Sequence, residues 1–244
     1  RAPDTPRRKR GGRHPAARHV DRRYQGDVRG WSPWHQHGLT AGKAMYLTPR
    51  DRDAFVQTLK HCHENGLDYT LIGGGTATFK PSETDLVIST ECLNALSIDT
   101  AAEELEVGAG VAIETAESFV AEHGWTLGQW MGSGATATIG GAIVTNATGI
   151  LAGRYGNINE AVTMIEILDQ SGNTSWISPA AYRSTPGAII LGVRIPLWLS
   201  PDGRAVARFV GAGDPLAALR QVATARLMPA HMSVDQSGTI TVIV

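Results

Sequence analysis

The stretch Gly132-Ser133-Gly134-Ala135-Thr136-Ala137-Thr138-Ile139-Gly140-Gly141, continued without a break by Ala142-Ile143-Val144-Thr145-Asn146-Ala147, carries no charge and nothing bulkier than isoleucine. A solvent loop would be rich in Asp, Asn, Lys or Pro, and a core helix would carry Leu. Small residues at this density mean that something large approaches the backbone closely, because side chains would keep it away. Two readings follow. The uncrowded N–H groups form a nest for an anion such as a pyrophosphate, or the run marks tight packing between a strand and a helix.

A second run, Thr70-Leu71-Ile72-Gly73-Gly74-Gly75-Thr76-Ala77, sets three glycines at the end of a short apolar strand, Tyr69 to Ile72. The periodicity predicts a helix over Asp53–Asn65 before that strand, stopped by Gly66. A further strand is predicted at Asp85–Ser89. A dinucleotide fingerprint of the G-x-G-x-x-G kind would place Glu91 as the ribose acid, eighteen residues beyond Gly73. That reading fails on context: Thr78 stands where the third glycine belongs, and Pro81 follows too soon for a helix to open.

The two runs, in this order and about sixty residues apart, resemble the FAD-binding domain (PCMH type) of the vanillyl-alcohol-oxidase superfamily. The matching pieces are Gly73-Gly74-Gly75, Gly132-Ser133-Gly134, Thr138-Ile139-Gly140-Gly141, Thr145-Asn146-Ala147-Thr148-Gly149 and Tyr155-Gly156-Asn157-Ile158. Leu105-Glu106-Val107-Gly108-Ala109-Gly110 is similar to the family's V-E-A-G segment, and Tyr46 to Leu59 to its opening strand and helix. The Tyr-Gly-Asn-Ile variant resembles most the alkylglycerone-phosphate synthase and glycolate/D-lactate dehydrogenase branches.

The resemblance implies an α+β fold, a flavin domain of two α/β lobes over 44–95 and 96–200, with 201–244 as the truncated start of a cap; charge and composition mark 1–43 as a basic, disordered segment. FAD would lie extended between the lobes. The residues implied for the cofactor are Ile72, Gly73, Gly74, Gly75, Thr76 and Ala77 on one side. On the other are Gly132, Ser133, Gly134, Ala135, Thr138, Ile139, Gly140 and Gly141, with Asn146 and Tyr155 beyond them. Gly74 is expected where a phosphate touches the chain, on a surface-facing turn that carries little of the core. No Lys or Arg lies in the first loop, so N–H and hydroxyl donors must hold the two phosphate charges. Many members attach FAD through a histidine just after the glycine loop; Thr76, Ala77 and Thr78 stand there, which implies a non-covalent cofactor. The family's G-S-E-G-T-L-G segment is replaced by the shorter Ala180-Ala181-Tyr182-Arg183-Ser184-Thr185-Pro186-Gly187.

The implied function is the FAD-binding portion of a flavin-dependent oxidoreductase acting on a 2-hydroxy acid or similar small oxygenated substrate. The alternative is a non-catalytic flavin-binding module that needs a partner chain, and a homo-oligomer or partner subunit fits either. Tyr182, Arg183 and His231 are the candidate catalytic side chains, although a structural role is the simpler reading of each, and no catalytic residue is assigned.

Composition describes a soluble globular protein: 42% hydrophobic and 18% charged residues over 244, with no apolar run long enough for a membrane helix. The two cysteines, Cys62 and Cys92, argue against a disulfide framework and for a reducing, cytoplasmic setting. The net charge of −1 hides an asymmetry, since residues 1–23 hold nine Arg or Lys against Asp4 and Asp21. That arm lacks serine and an apolar face and holds three prolines, so it reads as a solvated tail rather than a transit peptide, and no nucleic-acid partner is expected. The pairs His35/His37 and His61/His63 have no carboxylate or cysteine company and are read as surface histidines, with no metal. Further strands are predicted at Leu105–Val107, Met164–Leu168, Ala188–Val193, Ala205–Val210 and Thr239–Val244, and further helices at Ile113–His123 and Asp214–Arg226, the last with Asp214 as N-cap and Pro215 in its first turn. Asp169–Asn173 and Asp202-Gly203 are predicted turns.

Overall fold

The computed structural model describes residues 45–76, 86–201, 206–209, 213–224, 229 and 231–243. The basic arm, His35 and His37, Ala77, Thr78, Pro81 and the Asp202-Gly203 turn lie outside the described residues.

The first layer is built from β1 (Met45–Leu47), α1 (Arg52–Glu64), β2 (Thr70–Ile72) and β3 (Leu86–Ser89). The strands form a parallel sheet in the order β1-β3-β2. Helix α1 starts one residue before its predicted position because Asp51 caps it, accepting the Ala54 N–H at 2.7 Å. Phe55, Val56, Leu59 and Cys62 recur at helical spacing and are buried, which fixes the face turned to the core. The helix ends as expected at Gly66, with Gly66 N–H bonded to His63 O and Leu67 N–H to Cys62 O.

After the crossing come β4 (Leu96–Asp99), β5 (Glu104–Gly108), α2 (Ile113–Ala121), β6 (Trp125–Thr126), α3 (Ile139–Val144), α4 (Ala152–Tyr155), α5 (Ile158–Ala161), β7 (Met164–Leu168), β8 (Thr174–Ile177), α6 (Pro179–Arg183) and β9 (Ile189–Pro196). Five of these strands form an antiparallel sheet in the order β4-β5-β9-β7-β8. Strand β9 runs through the middle and is buried along most of its length, whereas β7 alternates buried and half-buried residues before ending on two buried ones. The predicted Asp169–Asn173 turn joins β7 to β8, closed by Asp169 N–H to Asn173 O at 2.9 Å and Asn173 N–H to Asp169 Oδ1 at 2.8 Å.

Both sheets share one core, in which Leu47, Phe55 and Ile88 of the first layer join Leu105, Ile165 and Val193 of the second. The Arg52–Glu166 ion pair at 2.5 Å also bridges α1 to β7. The α+β class and a parallel-then-antiparallel arrangement are therefore what the chain adopts. Beyond β10 (Trp198–Leu199), which pairs with β6, come β11 (Val206–Phe209), α7 (Pro215–Thr224), β12 (His231–Val234) and β13 (Ile240–Ile243). These last three strands form a separate antiparallel sheet, order β11-β13-β12. Asp214 caps α7 as predicted, taking the Leu216 and Ala217 N–H groups. No helix among the described residues is long and apolar enough to cross a membrane.

Candidate functional site

Strand β2 ends at buried Ile72, and the chain turns through Gly73, Gly74 and Gly75. Thr90, just past β3, holds that end: its N–H and its hydroxyl both donate to Ile72 O, at 2.9 and 3.2 Å. The second run is a loop folded on itself, with Gly134 N–H bonded to Met131 O and Ala137 N–H to Ser133 O. It is moored to the start of α2 by Ile113 N–H to Ala137 O and Glu114 N–H to Gly134 O, both 2.9 Å. Thr138 then caps α3, accepting the Gly141 N–H at 3.3 Å.

The two glycine runs touch. A Cβ on Gly74 would overlap the Thr136 carbonyl oxygen, and one on Gly73 would overlap the Thr138 hydroxyl. Gly74 is thus not the surface-facing turn residue expected from the sequence; its missing side chain makes room for the other loop. Farther on, Gly140 brings α3 onto β5, where a Cβ would stand 2.8 Å from Ala109 Cβ, and its N–H bonds to Ala109 O. Of the two readings of small residues, tight packing holds at Gly74 and Gly140. The same segments also wall an open space.

That space is a cleft of about 1030 Å³, at the upper end of the roughly 300–1,000 Å³ spanned by ligand sites. Its walls include Ile72, Gly73, Gly74, Gly75, Thr76, Ser133, Thr138, Gly140 and Gly141. Among the described residues lining it none carries a charge, and Tyr182 is the sole titratable side chain. Burial pushes the Tyr182 phenol above its usual range. Polar groups there come from the glycine backbone and the hydroxyls of Thr70, Thr76, Thr90, Ser133, Thr138, Thr145 and Tyr182, set in apolar walls. An elongated ligand with flat apolar ends and an anionic middle fits that donor set, since backbone N–H groups bind oxyanions without a cation.

The remaining described residues implied for the cofactor do not line the cleft. Gly132 and Ala135 are exposed, Gly134 is buried beside the Met131 carbonyl, and Ile139 is part of the core. Asn146 terminates α3 in a left-handed conformation, φ 49°. Its N–H bonds to Ile143 O, the next N–H bonds to Ala142 O, and its Oδ1 accepts from Asn159 Nδ2 at 2.8 Å. Tyr155 packs on Gly128 and meets Trp198 edge-on, ring centroids 5.8 Å apart. The Gly156-Asn157 pair that follows is explained locally. Gly156 has φ 75°, and Asn157 with Glu160 forms a reciprocal cap on α5.

Of the candidate catalytic side chains, Tyr182 lines the cleft, Arg183 is exposed on α6 and His231 lies in the last sheet. Sequence reasoning missed Thr90, Ala109, Met131 and the Ala188–Ile190 entry to β9, which also form walls. Thr145 and Ala147 line it as well, and the Thr-Asn-Ala motif was their signal. Cys62 and Cys92 are both unpaired, and among the described residues no cluster of metal-binding side chains occurs.

Residues 43–178 match the sequence model described as the FAD binding domain. The chain is 27% identical over 150 residues to D-lactate dehydrogenase of Archaeoglobus fulgidus, covering 60% of this chain and 34% of that protein. It is 29% identical over 132 residues to mitochondrial D-2-hydroxyglutarate dehydrogenase of Bos taurus, covering 52% and 24%. Among solved structures it is similar to alkyldihydroxyacetonephosphate synthase, with a TM-score of 0.67 and 16% identity over 77% of this chain and 38% of that one. The chain thus spans about a quarter to two-fifths of the proteins it resembles. The resemblance drawn from the paired glycine runs is borne out, and with the family match extending over more than half its length, this chain belongs to the FAD binding domain family.

Proposed function

We propose that this chain is the cofactor-holding portion of an FAD-dependent oxidoreductase whose substrate is a small 2-hydroxy acid. The observation that carries the reading is the cleft between two mutually packed glycine runs, its described lining residues free of charge, in a chain whose family binds FAD. The 2-hydroxy acid is taken from the printed activities of two relatives, D-lactate and D-2-hydroxyglutarate dehydrogenases. When bound, FAD supplies the redox chemistry, accepting two electrons as the hydroxy acid becomes a 2-oxo acid.

In this reading Gly73, Gly74, Gly75 and Thr76 hold the pyrophosphate from one side through backbone and hydroxyl donors. Ser133 and Thr138 hold it from the other, and Gly140 and Gly141 let α3 approach the ring. Asn146 serves by ending α3 where Thr145 and Ala147 reach the cleft, and Tyr155 by bracing the segment behind it. Residues 44–200 form the flavin domain, in lobes of 44–95 and 96–200, and 201–244 opens a cap. A cytoplasmic setting suits the two unpaired thiols.

The test is anaerobic addition of D-lactate or D-2-hydroxyglutarate to the FAD-loaded full chain, followed by visible absorbance. Bleaching of the flavin by either acid, even over minutes, supports the reading. A flavin that a chemical reductant bleaches but neither acid does would point instead to a binding module without this chemistry.

A further inference from the structure

Asn159 stands one residue past the Tyr-Gly-Asn-Ile motif, on α5, and its side chain reaches back to the end of α3. Its amide nitrogen donates twice, to Ile143 O at 3.1 Å and to Asn146 Oδ1 at 2.8 Å. The Asn159 N–H is itself held by Asn157 Oδ1 at 3.0 Å, inside the reciprocal cap that opens α5. The Ile143 carbonyl settles the orientation of both amides. A backbone carbonyl only accepts, so the Asn159 NH2 group must face it, and the Asn146 atom that meets the same NH2 group must be oxygen.

The consequence falls on the other end of the Asn146 amide. With Oδ1 turned to α5, its NH2 group is turned away and donates to no group among the described residues. Asn146 ends a row of three exposed residues, Val144, Thr145 and Asn146. Val144 and Thr145 before it and Ala147 after it line the cleft. The Thr145 hydroxyl is no rival donor, because its proton goes to Gly141 O at 2.9 Å. The rim of the cleft at the end of α3 thus presents one unspent donor, with the matching acceptor withdrawn.

We propose that Asn159 is a positioning residue, and that the Asn146 NH2 group it sets outward donates to an oxygen of the hydroxy acid substrate. The carboxylate and hydroxyl oxygens of such an acid accept hydrogen bonds, and a carboxylate only accepts. An untethered amide would set its own oxygen against that carboxylate as readily as its nitrogen; the Asn159 contact removes the wrong orientation in advance. The rim also suits a substrate, which must come and go while the cofactor stays. The inference rests on the cleft being the flavin site of a 2-hydroxy acid oxidoreductase.

The experiment follows anaerobic bleaching of the FAD-loaded full chain over a range of D-lactate and of D-2-hydroxyglutarate concentrations, with FAD affinity measured on the same samples. The variants are Asn159→Ala, Asn146→Gly and the two combined; glycine keeps the left-handed backbone at 146 without strain. Asn146→Gly should raise the half-saturating acid concentration by about tenfold, as for a lost hydrogen bond to a charged group. Asn159→Ala should raise it by about threefold or more, since a freed side chain must be ordered at each binding. Both should leave the maximal bleaching rate and the FAD Kd within about twofold, and the combined variant should match Asn146→Gly, because Asn159 acts through Asn146. In the unaltered chain without substrate, proton NMR should find the Asn159 side-chain amide protons slow to exchange with water and those of Asn146 fast, a readout that needs no variant to fold. An unmoved half-saturation in either single variant, a loss of FAD affinity in its place, additive losses in the combined variant, or Asn146 protons as the protected pair would each overturn the proposal. Bleaching of the unaltered chain by neither acid would overturn the reading of the site and this inference with it, a distinct failure.

Discussion

Gly74 and Thr136 lie against each other, close enough that a Cβ on the glycine would overlap the threonine carbonyl oxygen. One contact thereby joins the turn after β2 to the loop that precedes α3, the two segments that wall the cleft. The obstacle is backbone, which cannot swing aside as a side chain would.

Gly74→Ala should therefore cost about 1–3 kcal/mol, the usual penalty of forced overpacking, or several degrees in Tm at roughly 2–4 °C per kcal/mol for a chain of this size. Gly73→Ala meets the Thr138 hydroxyl, a side-chain atom that can rotate away at the expense of its cap on α3, so its loss should be smaller. Thermal melts of both variants followed by circular dichroism check the order. A Gly74→Ala protein melting with the parent would remove the contact from the account.

The amino-acid sequence displayed a good part of this arrangement. The apolar stripe of α1, the strand Met164–Leu168 and the cap at Asp214 follow local rules, and local rules can be read one residue at a time. Helix α3 was not readable that way, because Ile139-Gly140-Gly141-Ala142-Ile143-Val144 has poor intrinsic propensity. It forms because Gly140 fits against Ala109, a contact thirty-one positions away. Asn146 and Tyr155 show the converse. Both stand in a motif that suggests the cofactor, yet the structure uses one as a helix stop and the other as packing on Gly128. The β9 wall was invisible because Ala188, Ile189 and Ile190 look like any core strand until the end of β5 leaves them uncovered.

Thr138 is 7% exposed, caps α3 and lines the cleft. Thr138→Ala should destabilise by about 0.5–2 kcal/mol, the range for losing a cap, and should also weaken FAD. Thr138→Ser, which keeps the hydroxyl, should restore most of both. Urea unfolding paired with flavin titration measures the two losses separately. Serine failing to rescue either one would mean that the methyl group, not the hydroxyl, matters.

Burial pushes the Cys62 thiol up to about 11 from an ordinary 9.0. The folded state therefore favours the protonated thiol, while the unfolded chain ionises first. Stability should be fully present below pH 9.0 and fall as pH rises through about 11. Cys92 adds in the same direction for the same cause. Denaturant midpoints between pH 8 and 10.5 should decline, and less steeply in Cys62→Ala. An equal slope in the variant would assign the alkaline loss to other groups.

No histidine or cysteine follows Gly75 at Thr76, Ala77 or Thr78, so nothing there can bond to the flavin ring. Acid precipitation of the loaded protein should release the yellow colour into the supernatant. Colour retained in the washed pellet would reveal a covalent link.

The central claim is that an uncharged cleft between two packed glycine runs holds FAD through backbone and hydroxyl donors. Titration of the full chain with FAD, followed by flavin absorbance in low and in high salt, tests it most directly. The account predicts one flavin per chain, with a Kd of about 1 μM or lower, near −8 kcal/mol. That affinity should change less than about threefold with salt, because none of the described residues lining the cleft carries a charge to be screened. FAD that fails to bind, or whose affinity collapses as salt rises, would contradict it.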